Sequence, residues 1–307
     1  MGGVLTGFGI IAFVILVGYV AGRLRIGGPT APFVLNRIAF FVTNPALLFV
    51  TLARADLHVV FSAQLLVAAV AAVVSAGLFV ALSRAFFQAP APETTIGALG
   101  AGYVNANNIG LPVAVYVLGS ASFVAPVLLL QLIVFAPIAL TILDTTSRGA
   151  VSVRSILTQP VRNPMIIASL LGILVDVSGL KLPDAVLKPF ELLGGAAVPL
   201  VLLAFGMSLV GARPLQAGAG RASIVTAVVL KSAAMPLVAF AVARFGFGLS
   251  GQSLFAAVAL AALPTAQNVY NFAARYERGM AVARDVVLLT TIFAVPSLLV
   301  IAALLAP

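Results

Sequence analysis

Ten stretches of this chain are apolar for long enough to cross a lipid bilayer, and no other feature limits its possible folds as severely. They run over 4–22, 31–53, 59–83, 95–118, 121–143, 164–180, 186–210, 222–243, 252–274 and 283–305. A helix needs about 20 such residues to traverse the hydrocarbon core. Transmembrane strands would alternate apolar and polar residues over about ten positions, whereas these runs are apolar throughout. Composition excludes the soluble alternatives, since 62% of the residues are hydrophobic and only 8% charged. So few charges cannot cover a water-soluble surface, and disorder needs the opposite balance. The expected fold is therefore an all-α polytopic membrane protein. With no cysteine and a single histidine, His58, the chain offers no thiolate nucleophile, disulfide framework or multi-histidine metal centre.

The net charge of +9 is topological. Nucleic-acid binding would need a basic patch on one face, but the basic residues sit singly or in small groups between spans. Arg23, Arg25, Arg84, Arg148, Arg154, Arg162, Arg213, Arg221, Arg275, Arg278 and Arg284 fall in loops on one side. Arg54, Lys181, Lys188 and Arg244 fall on the other. The positive-inside rule assigns the first group to the cytoplasm and leaves both termini external. The first span has no basic residue before it and two after it, the reverse of a cleaved signal peptide. His58, beside Asp56, reads as exposed in a short external loop.

The longest polar connection, 144–163, divides the chain into repeats over 1–143 and 164–307. Five spans per half oblige two homologous halves to insert with opposite topology. Val127–Pro137 (VLLLQLIVFAP) lies over Val286–Pro296 (VVLLTTIFAVP), and Asn107–Ile109 over Gln267–Val269. Inverted repeats of this kind belong to carriers, because the two units can exchange conformations.

Polar groups cluster where the fourth and ninth spans carry prolines. The fourth contains Asn105, Asn107 and Asn108 ahead of Pro112; the ninth contains Pro264 ahead of Gln267, Asn268 and Asn271. Asn105 with Asn108, and Asn268 with Asn271, are spaced to share a helix face. Pro112 and Pro264 each remove an amide donor, and Gly110 permits backbone angles closed to other residues. Interrupted helices at matching repeat positions point to a carrier's binding site. Prolines as simple kinks, with asparagines bonding neighbouring helices, are the plainer alternative. No carboxylate lies near either break. Amides and half-helix N-termini suit a small organic anion. A cation–proton antiporter would want buried acids there, while sodium coupling through amide and carbonyl oxygens stays open.

Other intramembrane polar residues have two readings each. Lys231 is either a counter-charge for substrate or helix C-termini, or a lysine snorkelling to the inner surface. Arg37, nearer a membrane edge, reads as snorkelling. Asn44-Pro45 reads as a kink, and Gln131, Thr290 and Thr291 as structural hydrogen bonders. No intramembrane nucleophile with a base, acid pair or metal-ligand set suggests an enzyme. A passive channel would need no bistable element.

Five segments resemble signatures of the auxin efflux carrier family: Asn44–Phe49 (NPALLF), Asn105–Pro112 (NANNIGLP), Arg162–Ile166 (RNPMI), Ala197–Leu209 (AVPLVLLAFGMSL) and Ala262–Tyr270 (ALPTAQNVY). They follow one another in family order over nearly the whole chain. The resemblance implies ten helices in two inverted repeats, a fold shared with bile-acid sodium symporters and sodium–proton antiporters. It implies a scaffold of spans 1, 2, 6 and 7, often the homodimer surface, and a mobile core of spans 3–5 and 8–10. Substrate would bind where broken spans 4 and 9 cross and travel by an elevator movement. Carried over by motif, the site residues are Asn105, Asn107, Asn108, Pro112, Pro264, Gln267 and Asn268. Plant members carry a long insert between the halves. The short connection here resembles bacterial members of the inner membrane, for which small carboxylates are the expected substrates. No cofactor is expected; the coupling ion, if any, would be sodium or a proton.

Overall fold

The computed structural model describes residues 2–54, 63–148, 164–180, 182–211 and 220–307. His58, Asp56, Lys181 and most of the connection between the halves lie outside the described residues. Every regular element among the described residues is helical. In chain order these are α1 (Gly2–Arg23), α2 (Ala31–Leu52), α3 (Ala63–Phe87) and α4 (Ala91–Gly102). A π-turn, Ala106–Gly110, running into Leu111–Tyr116 makes α5. Then come α6 (Ala121–Arg148), α7 (Pro164–Val177), α8 (Asp184–Ser208) and α9 (Arg221–Gly246). The last three are α10 (Gly251–Ala261), α11 (Gln267–Tyr276) and α12 (Met280–Leu305).

Among the described residues, six helices, α2, α3, α6, α8, α9 and α12, are long and apolar enough to cross a membrane. Three further apolar helices, Gly9–Arg23, Pro164–Val177 and Gly251–Ala261, are shorter. The outer surface carries large apolar side chains, among them Phe13 on α1, Leu174 on α7, Leu237 on α9 and Leu304 on α12, each more than 60% exposed. Water would penalise such a surface and lipid would not. The chain is a multi-pass membrane protein.

Several sequence expectations shift in detail. The stretches 95–118 and 252–274 are interrupted helices, with the interruptions at 103–105, several residues ahead of Pro112, and at 262–266, around Pro264. The stretch 164–180 is helical only to Val177, before Gly179 turns the chain at φ 65°. The connection expected from 144 begins inside a helix, because the last turns of α6 continue to Arg148.

Helix boundaries recur at a nearly constant interval. A π-turn at Ser83–Phe87 ends α3, and one at Val242–Gly246 ends α9, 159 positions later. Ala91 opens α4 and Gly251 opens α10, 160 positions apart; Ala121 opens α6 and Met280 opens α12, 159 apart.

Two packing groups are apparent. The first is α1, α2, α7 and α8; the second is α3, α4, α6, α9, α10, α11 and α12, with α5 touching both. Small residues let backbones meet in the first group. A side chain on Gly206 of α8 would strike the carbonyl of Ile15, and one on Gly18 of α1 would strike the carbonyl of Leu203.

Candidate functional site

The two breaks meet each other. Val104 and Thr265 form an antiparallel β-bridge. Asn105 N donates to Pro264 O (2.7 Å), and Ala266 N donates to Tyr103 O (3.1 Å). Extended backbone within a bilayer must be buried and paired, and this stretch is both: Tyr103, Val104 and Asn105 are at most 3% exposed, and Thr265 not at all.

The helix ends at the breaks are satisfied differently in the two halves. At the end of α4, the Thr265 hydroxyl donates to Gly100 O (2.6 Å), while Thr265 N donates to the Thr290 hydroxyl (3.0 Å). At the end of α10, the Lys231 ammonium donates to Ala261 O (2.7 Å) and lies 3.1 Å from Met235 Sδ. Lys231 is 1% exposed, so it does not snorkel. It sits against the negative end of the α10 dipole, where a cation is favoured. Leu260 O, denied a bond by Pro264, accepts one from Leu263 N (3.4 Å).

Both polar clusters open a helix. Gln267 and Asn268 form the first turn of α11, as their place after Pro264 suggests. The asparagines of the first half also begin a helix, although they precede Pro112. The chain resumes helical form at Ala106, so Pro112 lies within α5 rather than at the break. Pro112 lies just after the π-turn, where i→i−5 bonds such as Gly110 N to Asn105 O and Leu111 N to Ala106 O already replace the i→i−4 ladder that a proline would break. Asn105 caps this helix: its Oδ1 accepts from Asn108 N (3.0 Å). Gly110 has ordinary right-handed helical angles, contrary to the expectation that it relieves the backbone. Its small size is what counts, since a Cβ would lie 2.9 Å from Leu263 Cδ1 and 3.0 Å from Val124 Cγ2.

Beside the bridge lies a cavity of about 360 Å³, large enough for a small organic molecule. Asn105, Asn107, Asn108, Gln267, Asn268 and Asn271 all line it. Gly110, Pro112, Pro264 and Lys231 do not. Its floor is buried at Val104, Asn105 and Gln131, while Phe33, Arg37 and Asn271 are exposed at its rim. The amides are linked: Asn107 Nδ2 donates to Asn108 Oδ1 (2.8 Å), and Asn108 Nδ2 to Gln267 Oε1 (3.4 Å). The Tyr103 hydroxyl is hydrogen-bonded to Asn268. Asn105 Nδ2 is buried without a hydrogen-bond partner.

Sequence reasoning did not place α2 in this site. Asn44, fully buried, donates from Nδ2 to Asn107 Oδ1 (2.6 Å) and so ties α2 to the amide cluster. Asn36, Arg37, Phe33 and Phe41 of α2 line the cavity, as does Gln131 of α6. A usable signal existed. Phe33, Arg37 and Phe41 are four residues apart, and Asn36 and Asn44 eight, spacings that keep polar residues on adjoining faces of one helix.

No curated protein matches the chain. A family model described as membrane transport protein matches it twice, over residues 8–154 and again over 146–302. These matches take in nearly the whole chain, one in each half: the chain belongs to the auxin efflux carrier family of membrane transport proteins.

Proposed function

We propose that this transporter is a secondary carrier of small organic anions, carboxylates above all, and that the cavity beside the Val104–Thr265 bridge is its substrate site. The observation that carries the reading is the donor character of the cavity. Asn105 offers a buried Nδ2 with no partner, and the first turn of α11 opens into the same space. Buried donors without partners cost free energy that a carboxylate oxygen would recover. No aspartate or glutamate lines the cavity among the described residues, so the cation–proton alternative finds no proton-binding acid there. Sodium remains a candidate coupling ion through the amide oxygens.

Alternating access by an elevator movement fits the two packing groups, with the α1, α2, α7 and α8 group as scaffold and homodimer surface. Recurring helix boundaries and the doubled family match support two inverted repeats of five spans, with α4–α5 and α10–α11 as the broken fourth and ninth. The arginine-rich loops support a bacterial inner-membrane orientation with external termini.

Uptake into proteoliposomes of radiolabelled acetate, benzoate, succinate and citrate, with and without sodium and proton gradients, tests the reading. Wild-type protein should accumulate at least one of them. Asn108→Ala and Asn268→Ala should each lower its kcat/KM roughly tenfold or more, the loss expected for hydrogen bonds to a charged group. Uptake of none would refute the anion assignment, and undiminished uptake by both variants would refute the site.

A further inference from the structure

We infer that Arg37 is the charge partner of the transported anion, held at the rim of the cavity by Phe33 and Phe41. Arg37 is the only charged residue lining the cavity among the described residues. Its guanidinium lies 5.6 Å from the ring centroid of Phe33 and 5.6 Å from that of Phe41. Both rings line the same space. They hold the guanidinium by cation–π attraction without using its hydrogen-bond donors. No described carboxylate forms an ion pair with it. Five N–H groups in a planar fork are therefore left to bind a carboxylate bidentately.

The other basic candidate is already engaged. Lys231 is buried behind the wall, on the Ala261 carbonyl. Amides on the floor can orient an anion but cannot neutralise it. Arg37 supplies the missing unit charge in the cavity that Asn268 and Asn271 also line. Simple snorkelling would turn the guanidinium to lipid headgroups and would not require it to line the cavity. This inference rests on the anion-carrier reading and adds the residue that selects for charge.

The chain contains no cysteine, so a single introduced thiol reports on one position. Arg37→Gln should raise the KM of the carboxylate that wild-type protein takes up by about tenfold or more, with thermal stability in detergent retained and Arg37→Lys falling between. Arg37→Cys should recover uptake when a 2-aminoethyl methanethiosulfonate restores the positive charge, and not when the 2-sulfonatoethyl reagent adds a negative one. Saturating carboxylate should slow both modifications. If Arg37→Gln keeps the wild-type KM, or the thiol reacts equally fast with and without carboxylate, the guanidinium serves the headgroups and the inference falls while the carrier reading stands. If wild-type protein moves no carboxylate, the carrier reading fails first and this one with it.

Discussion

Lys231 shows how a single side chain answers a problem that its own helix does not pose. The end of α10 leaves carbonyls pointing into the protein interior, and Ala261 O finds the ammonium of α9. In the other half Thr265 does the same work for Gly100 with a neutral hydroxyl. The two broken helices are thus similar in path and different in charge. Lys231→Met keeps the bulk but removes the donor, stranding a buried carbonyl. Unfolding of the detergent-purified protein should shift to lower temperature, by the equivalent of about 1–3 kcal/mol. Because Lys231 lies outside the cavity lining, the KM for a transported carboxylate should change far less than in Asn108→Ala. A KM change as large as that variant's would place the ammonium within reach of the substrate.

Among the elements, α1 and α8 meet backbone to backbone. Gly18 and Gly206 face backbone carbonyls of the opposing helix, with no room for a methyl group. Gly206→Val would force the two helices apart or unseat them. Overpacking of this kind costs about 1–3 kcal/mol, and it should appear as a lower unfolding temperature together with poor recovery of folded protein. Gly195, where a Cβ meets nothing within 4 Å, serves as the control; Gly195→Ala should behave as wild type in the same assay. The breaks between α4 and α5, and between α10 and α11, obey a different rule. Their backbone groups are paired across the bridge, so neither break is a stable structure without the other.

At the scale of the whole molecule, the hydrogen bond from Asn44 to Asn107 is a direct tie between the α2 group and the broken-helix group. A carrier that alternates access must break such ties in each cycle, whereas a channel need not. A disulfide formed in Asn44→Cys/Asn107→Cys should therefore stop uptake relative to the same variant in its reduced state. Reduction should restore the rate. Flux that continues through the oxidised protein would favour a channel over a carrier.

Much of this molecule was legible in its sequence because the bilayer permits so few solutions. Long apolar runs without charges must become membrane helices, and a proline in a polar cluster of such a run marks where the helix can be interrupted. The positions of both breaks, the amides that line the cavity and the doubling of the chain follow from those rules. Pro112 misleads by a few residues, because a proline is equally at home in the first turns of the helix that follows a break.

What the sequence could not decide is which group each polar side chain would meet. Lys231 and Arg37 are both cations in apolar helices; local pattern leaves the first with two readings and sends the second to the headgroups. Tertiary packing separates them, turning Lys231 onto the end of α10 and setting Arg37, with the phenyl rings four residues to either side of it, against the cavity. The physical reason is one of range. Hydrophobic length and helical backbone bonding are set by neighbours along the chain, while the carbonyl that Lys231 meets and the cavity that Arg37 lines are built by helices distant in sequence.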